Sequence, residues 1–337
     1  MAKKVNNSTE EFLLKKIKGL EKRIEEKELK EKLIIKTIEK GLQKLPKLDL
    51  PKNIADFKDK FEEEMAVIHL SDSQIGKETD SYNTDIAERR ILEFGKKTVE
   101  EIKRRQKHSK ISKALIIIGG DMVEGEKMRN DQAFEIDSSV FDQSIKRGSA
   151  MVVKFVLLIL EVIEKIKIVS VPGNHGRNGK RGDSGSHDTN WDNVLSAAAR
   201  FILVGSKEFP RKDTENRIEF LETNNWYTVQ DVLGNKLLIT HGDAIGAGGA
   251  HPWGNIAKQA VNWADSIPED WRYLYVGHFH TFSQIVINKR IILINGTTES
   301  GSDFVVQQLG ISGFPSQRVS FYNQKDGLIM DRQIFLE

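Results

Sequence analysis

Apolar residues recur along this chain in three rhythms, and each predicts a different kind of element. In the first 45 residues, Leu13, Ile17, Leu20 and Ile24 follow at spacings of four, three and four, the seam of a coiled coil. The frame breaks at Lys27 and Glu31 and resumes at Ile34, Ile38, Leu42 and Leu45. One helix from Ser8 to Leu45 is predicted, capped by Ser8 or Thr9, with Glu10 and Glu11 in its first turn. A short seam in two parts suits packing on a second copy of the chain or on a protein partner. The plainer alternative is a helix lying on the chain's own main domain. Pro46 and Pro51 end it, because proline cannot continue a helix. Residues 1–50 therefore read as a helical oligomerisation or partner-binding segment, 51–65 as a linker and 66–337 as the main domain.

The second rhythm is a set of continuous apolar runs, Ala66–Leu70, Ala114–Ile118 and Ile168–Val171, which read as strands buried on both faces. Helical periodicity fills the intervals at Thr84–Gln106 and Val140–Glu164, and again at Trp191–Val204. The third rhythm, after Ile218, is short and alternating. It predicts strands at Trp226–Val232, Leu237–Thr240, Tyr273–Val276, Gln284–Ile287, Ile291–Ile294, Val319–Phe321 and Leu328–Phe335. Gly234-Asn235 is a tight-turn signal and Asn288-Lys289 a second hairpin connection. The fold class is α/β, with two stacked sheets and flanking helices.

Composition narrows this picture in three ways. The chain has 337 residues, enough for one catalytic domain plus an appendage. It has no run of 18 apolar residues to span a membrane, and its N-terminus lacks the apolar core of a secretory signal. It has no cysteine, so disulfides, thiolate ligands and cysteine nucleophiles are excluded and a reducing, cytoplasmic setting is permitted. Residues 1–50 carry 14 Lys or Arg against 9 Asp or Glu, whereas the rest carries 37 against 40. The main domain is thus not globally basic, which weighs against electrostatic capture of long nucleic acid.

Candidate chemistry sits where the apolar runs end. The segments are His69-Leu70-Ser71-Asp72-Ser73-Gln74, Gly119-Gly120-Asp121, Gly173-Asn174-His175, Thr240-His241-Gly242 and Gly277-His278-Phe279-His280. Loops after strands of an open α/β sheet converge on one edge. Asp72 and Asp121 offer hard oxygen, Asn174 a neutral amide oxygen, and His241, His278 and His280 imidazole nitrogen. His278 and His280 flank Phe279 and share a face. Such mixed donors suit Mn, Fe or Zn better than an oxygen-only Mg or Ca site. Taken singly, Asp121 also reads as a helix cap and His241 as an ordinary buried histidine.

The order of these segments, Asp-x-Gln, Gly-Asp, Gly-Asn-His, His and Gly-His-x-His, resembles the calcineurin-like metallophosphoesterases over Val67 to Asn295. Gly173-Asn174-His175-Gly176-Arg177, Asn295-Gly296 and Gly313-Phe314-Pro315-Ser316-Gln317 resemble, more narrowly, SbcD-type DNA repair nucleases and their phage-borne relatives. The resemblance implies a four-layer α/β/β/α metallophosphoesterase sandwich and two divalent metal ions, Mn ahead of Zn, Fe or Mg. Asp72, Gln74, Asp121 and His280 would hold one ion. Asp121, as the bridge, would hold the other with Asn174, His241 and His278. His175 would be the acid–base residue near the leaving oxygen. The implied activity is phosphodiester hydrolysis by a two-metal-activated water, as an exonuclease-like DNA nuclease, in the host cytoplasm if a phage encodes the chain. The alternatives are a phosphatase or small-molecule phosphodiesterase, and a non-catalytic scaffold that retains the fold.

Three positions depart from the pattern. Gln74 stands where the family has His, Gly176 where many such nucleases carry Asp, and Glu124 where they often carry His. Arg177, Lys180 and Arg181 lie in or before a glycine-rich loop and read as substrate-phosphate contacts or as solvated loop residues. Trp253, Trp263 and Trp271, near His251, read either as base-stacking groups or as core.

Overall fold

Glu63–Leu70 (β1) and Lys110–Ile118 (β2) are buried along most of their length and lie at the centre of a six-stranded sheet. The computed structural model describes residues 61–128, 132–179, 189–205, 214, 216–223, 225–246, 252–300 and 314–337. The predicted N-terminal helix and most of the linker lie outside them. β1 begins at Glu63, three residues before the apolar run that marks it.

Lys165–Ser170 (β3) and Ile218–Glu222 (β4) extend the first sheet in parallel beyond β2. Ser316–Asn323 (β10) and Gly327–Phe335 (β11) add antiparallel strands on the other side of β1. The second sheet runs in the order β5-β6-β7-β9-β8: Tyr227–Val232 (β5), Asn235–Thr240 (β6), Tyr273–Val276 (β7), Ser283–Ile287 (β8) and Arg290–Ile294 (β9). The turn between β5 and β6 falls on Leu233-Gly234, with φ of 51° and 83°, one residue earlier than the glycine signal suggests. Asn288-Lys289 closes the β8–β9 hairpin with φ of 47° and 67°. Positive φ at both central residues is what a type I′ turn needs.

Side-chain alternation sorts the strands into layers. Ala66, Ile68 and Leu70 face the helices Thr84–Arg105 (α1), Gly148–Leu160 (α2) and Trp191–Val204 (α3). Val67, Leu115, Ile117 and Val169 face Leu237, Tyr273, Tyr275 and Leu293 of the second sheet. Leu238, Leu274 and Val276 pack outward onto Trp253–Ser266 (α4). The result is the expected α/β/β/α order. Phe94 of α1 stacks on Phe155 of α2 at 5.4 Å, both fully buried. Phe155→Ala should cost about 3 to 5 kcal/mol of unfolding free energy, measurable by denaturant titration, with α1 and α2 losing their common packing.

Two expectations on helices change. Val140–Glu164 is not one helix: a π-helical turn, Asp142–Lys146, precedes α2. The wider turn points Gln143 back, where its Oε1 accepts the Gly125 N–H at 2.9 Å and its amide donates to Ser138 O. α4 was not foreseen. Its buried residues Ile256, Ala260 and Trp263 lie at helical spacing but with Asn255, Lys258, Gln259 and Asn262 interspersed. Trp263 and Trp271 are buried in that core, and Trp253 packs against it, so the first two are not base-stacking surfaces. His251 lies outside the described residues. Among those residues no helix is long and apolar enough to cross a membrane.

Candidate metal centre

Loops following β1, β2, β3, β6 and β7 carry the polar residues singled out in the sequence. Asp72, Gln74, Asp121, His278 and His280 all have φ between 40° and 66°, a region non-glycine residues rarely enter. Surrounding hydrogen bonds hold them there: Asp72 N–H donates to Gly120 O at 3.0 Å and Gln74 N–H to Asp121 O at 2.9 Å. His278 N–H donates to Asp72 Oδ1 at 2.9 Å. Strained backbone is thus concentrated in the candidate ligands, as at functional sites generally. Gly120, at φ +84°, is required by contact as well: a Cβ there would come within 2.8 Å of His241 Nδ1.

Asp121, His241 and His278 each place a ligand atom within 4.8 Å of the others, a group of metal-binding size among the described residues. His241 Nδ1 lies 2.9 Å from the carbonyl of Gly119. A carbonyl only accepts, so Nδ1 carries the proton and Nε2 faces Asp121 Oδ2 at 3.0 Å. This is the tautomer and orientation that a metal-binding histidine takes. Burial works to lower the pKa of His241, but the carboxylates of Asp121 and Asp72 raise it to about 10. The pocket therefore calls for positive charge at Nε2, from a proton or from a cation. Burial and neighbouring His241 bring His278 down to about 4, leaving it neutral with a lone pair to give. Asn174 Nδ2 donates to Met128 Sδ, while its buried Oδ1 has no hydrogen-bond partner. Asp72 Oδ2 is buried and unpartnered as well. Unpaired buried oxygens beside oriented imidazoles fit a divalent cation.

The other predicted donor set is arranged differently. His280 Nε2 lies 3.3 Å from Asp72 Oδ1. Gln74 presents its Nε2 to His280 Nε2 at 3.4 Å, and its Oε1 accepts from the Lys77 ammonium at 3.1 Å. Lys77 also pairs with Glu299 at 2.5 Å. Neither Lys77 nor Glu299 stood out in the sequence, since they are 222 residues apart.

His175 is partly buried beside the centre. Its N–H donates to Asp121 Oδ1 at 2.7 Å, and its Nδ1 lies 3.0 Å from Glu124 Oε2. Burial works to lower its pKa, but Glu124 and then Asp121 raise it to about 9. Glu124, which departs from the nuclease pattern, is thus the counter-charge of His175. The Gly176 departure has a steric cause: a Cβ there would meet Asn190 Oδ1 at 2.2 Å. Arg177 is paired with Asp243 through one guanidinium nitrogen. Lys180 and Arg181 lie outside the described residues. His69 sits between the sheets, edge-on to Tyr275 at 5.6 Å, and burial lowers its pKa to about 3.

Sequence reasoning missed Asp192, in the first turn of α3. Its buried carboxylate accepts the N–H groups of Asp121, Met122, Val123 and Gly173 at 2.8 to 3.2 Å. It ties the loop after β2 to the loop after β3. An acidic residue at a helix start reads as a dipole complement, which concealed this role. Asp192→Ala should weaken metal binding about 10- to 100-fold, the usual cost of losing a group that orients ligands, as read by metal titration.

Residues 65–294 match the model of the calcineurin-like phosphoesterase family, and the chain belongs to that family. No curated protein sequence matches it. Among solved structures it is similar to a novel archaeal phosphodiesterase, at 11% identity and TM-score 0.35, covering 81% of this chain and 100% of that one. It is similar to a hypothetical protein of Pyrococcus horikoshii OT3, at 9% identity and TM-score 0.42, covering 81% and 88%. It is also similar to Vps29 of Entamoeba histolytica solved with zinc, at 12% identity and TM-score 0.33, covering 81% and 100%.

Proposed function

We propose that this chain is a metal-dependent phosphodiesterase whose substrate is a nucleic-acid strand. The observation that carries the hydrolytic reading is the meeting of two features. Asp121, His241 and His278 offer ligand atoms close enough for one cation, with Asn174 joined to them by the family pattern and its buried oxygen unpartnered, and a charged His175–Glu124 pair stands against them. The nucleic-acid part is supported by the narrower sequence resemblance to DNA repair nucleases.

Asp121, Asn174, His241 and His278 would hold the cation. Bound there, it supplies Lewis-acid polarisation of a phosphoryl oxygen. The chain's own residues do the rest. Glu124 keeps the His175 proton at Nδ1 and stabilises the imidazolium, so Nε2–H is the proton donor for the departing oxygen. Asp121 fixes the His175 backbone through its Oδ1. Asp192 keeps the two loops in register.

The test is hydrolysis of labelled single- and double-stranded DNA beside bis(p-nitrophenyl) phosphate and p-nitrophenyl phosphate, with Mn, Mg and Zn compared. Metal-dependent cleavage of DNA and of the diester ahead of the monoester is expected. Preference for the monoester points to a phosphatase, cleavage of the small diester alone to a small-molecule enzyme. No hydrolysis with any metal points to a scaffold.

A further inference from the structure

Two-cation centres need an acceptor atom turned to the ion at every ligand position, and Gln74 turns its amide nitrogen, not its oxygen, toward His280. A lysine ammonium can only donate, so its 3.1 Å contact fixes Oε1 as the end of the amide turned to Lys77. The end turned to His280 is therefore NH₂, a donor that repels a cation. The arrangement is built in. Lys77 N–H donates to Gln74 O at 3.0 Å, curling residues 74–77 into a turn that returns the lysine to the glutamine. Glu299 meets the ammonium from the far side at 2.5 Å. Its segment is docked on the same loop, because Thr297 Oγ1 donates to Asp72 O at 2.7 Å and accepts the Glu299 N–H at 3.0 Å. Lys77 and Glu299 are both buried. A buried ion pair with a hydrogen-bonded third member is costly to break, so an arriving divalent ion does not displace the lysine easily. It would also face a fixed positive charge across a single amide group.

We propose that this centre keeps one resident divalent cation, in the Asp121, Asn174, His241 and His278 pocket, and that the Lys77 ammonium, locked behind the Gln74 amide by Gln74 and Glu299, sets a fixed positive charge next to the Asp72, Gln74 and His280 position in place of a second ion. The inference rests on the reading of the pocket as a phosphoesterase centre, but its test does not use activity. The full chain is stripped with chelator and dialysed against excess Mn²⁺. Bound metal is then counted by elemental analysis, and the Mn²⁺ electron paramagnetic resonance spectrum is recorded. The expected result is one Mn²⁺ per chain with an uncoupled spectrum.

Gln74→His with Lys77→Met restores an acceptor and removes the charge. That double variant should bind two ions and show an exchange-coupled spectrum, whereas Lys77→Arg should stay at one. Two coupled ions in the unaltered chain, or none, overturns the proposal. So does a double variant with unchanged circular dichroism that still binds one. If the double variant does not fold, the count in the unaltered chain decides. One ion bound without hydrolysis of any phosphate ester upholds the metal inference and removes the proposed function.

Discussion

Asp121→Asn should strip the centre of its metal and lower phosphoester hydrolysis by at least about 10³-fold, since a catalytic cation supplies several kcal/mol and each 1.36 kcal/mol is tenfold in rate. Among the described residues Asp121 is the carboxylate of the close group with His241 and His278. Burial opposes its ionisation, but the neighbouring imidazoles of His241 and His175 outweigh that and hold it well below the usual carboxylate range. The asparagine amide removes the charge and turns an NH₂ toward either His241 Nε2 or the His175 N–H. Asparagine tolerates left-handed backbone, so the φ of 49° at this position is kept. The loss can then be assigned to charge rather than to a collapsed loop, provided circular dichroism and melting temperature stay close to those of the unaltered chain. Metal content equal to that of the unaltered chain would refute the role.

How legible the protein was from its residues depended on how each part makes its signal. β1, β2 and β3 were legible because strands buried on both faces write themselves as unbroken apolar runs. The candidate ligands were legible because each sits directly after such a run. The α4 helix was missed because the sheet hides only a narrow stripe of it, Ile256, Ala260 and Trp263, and Asn255, Lys258, Gln259, Asn262 and Asp265 interrupt the apolar pattern. Asp192 was missed because it acts on four backbone N–H groups, which carry no residue type to pair with. Lys77 and Glu299 meet only through tertiary folding, so neither marked the other. The left-handed backbone at five candidate ligands left no trace either, since none of them is glycine. Glu124 was noticed as a departure from a pattern, but its partner His175 lies 51 residues on, and only the fold shows that the two form a pair. The sequence pattern thus carried the donors, while the groups that orient and charge them came from the structure.

His175→Ala should keep the metal and lose about 10² to 10⁴-fold in rate, the usual contribution of a positioned general acid. The retained metal follows from geometry: the side chain makes its close contact with Glu124, and its Nε2 lies 3.9 Å from Asp121. Loss of metal in this variant would make His175 a ligand instead. The pH dependence separates the roles further. The imidazolium is the active form, and Glu124 leads the influences that raise its pKa to about 9 against the opposing effect of burial. The rate should therefore hold through neutral pH and fall as pH rises through the His175 pKa. Glu124→Gln removes the counter-charge, so the pKa drops and the alkaline limb of the pH–rate profile moves to lower pH. Metal content should be unchanged, because Glu124 touches the histidine and not the pocket donors. An alkaline limb that stays in place in Glu124→Gln, with metal still bound, would show that His175 does not supply the proton.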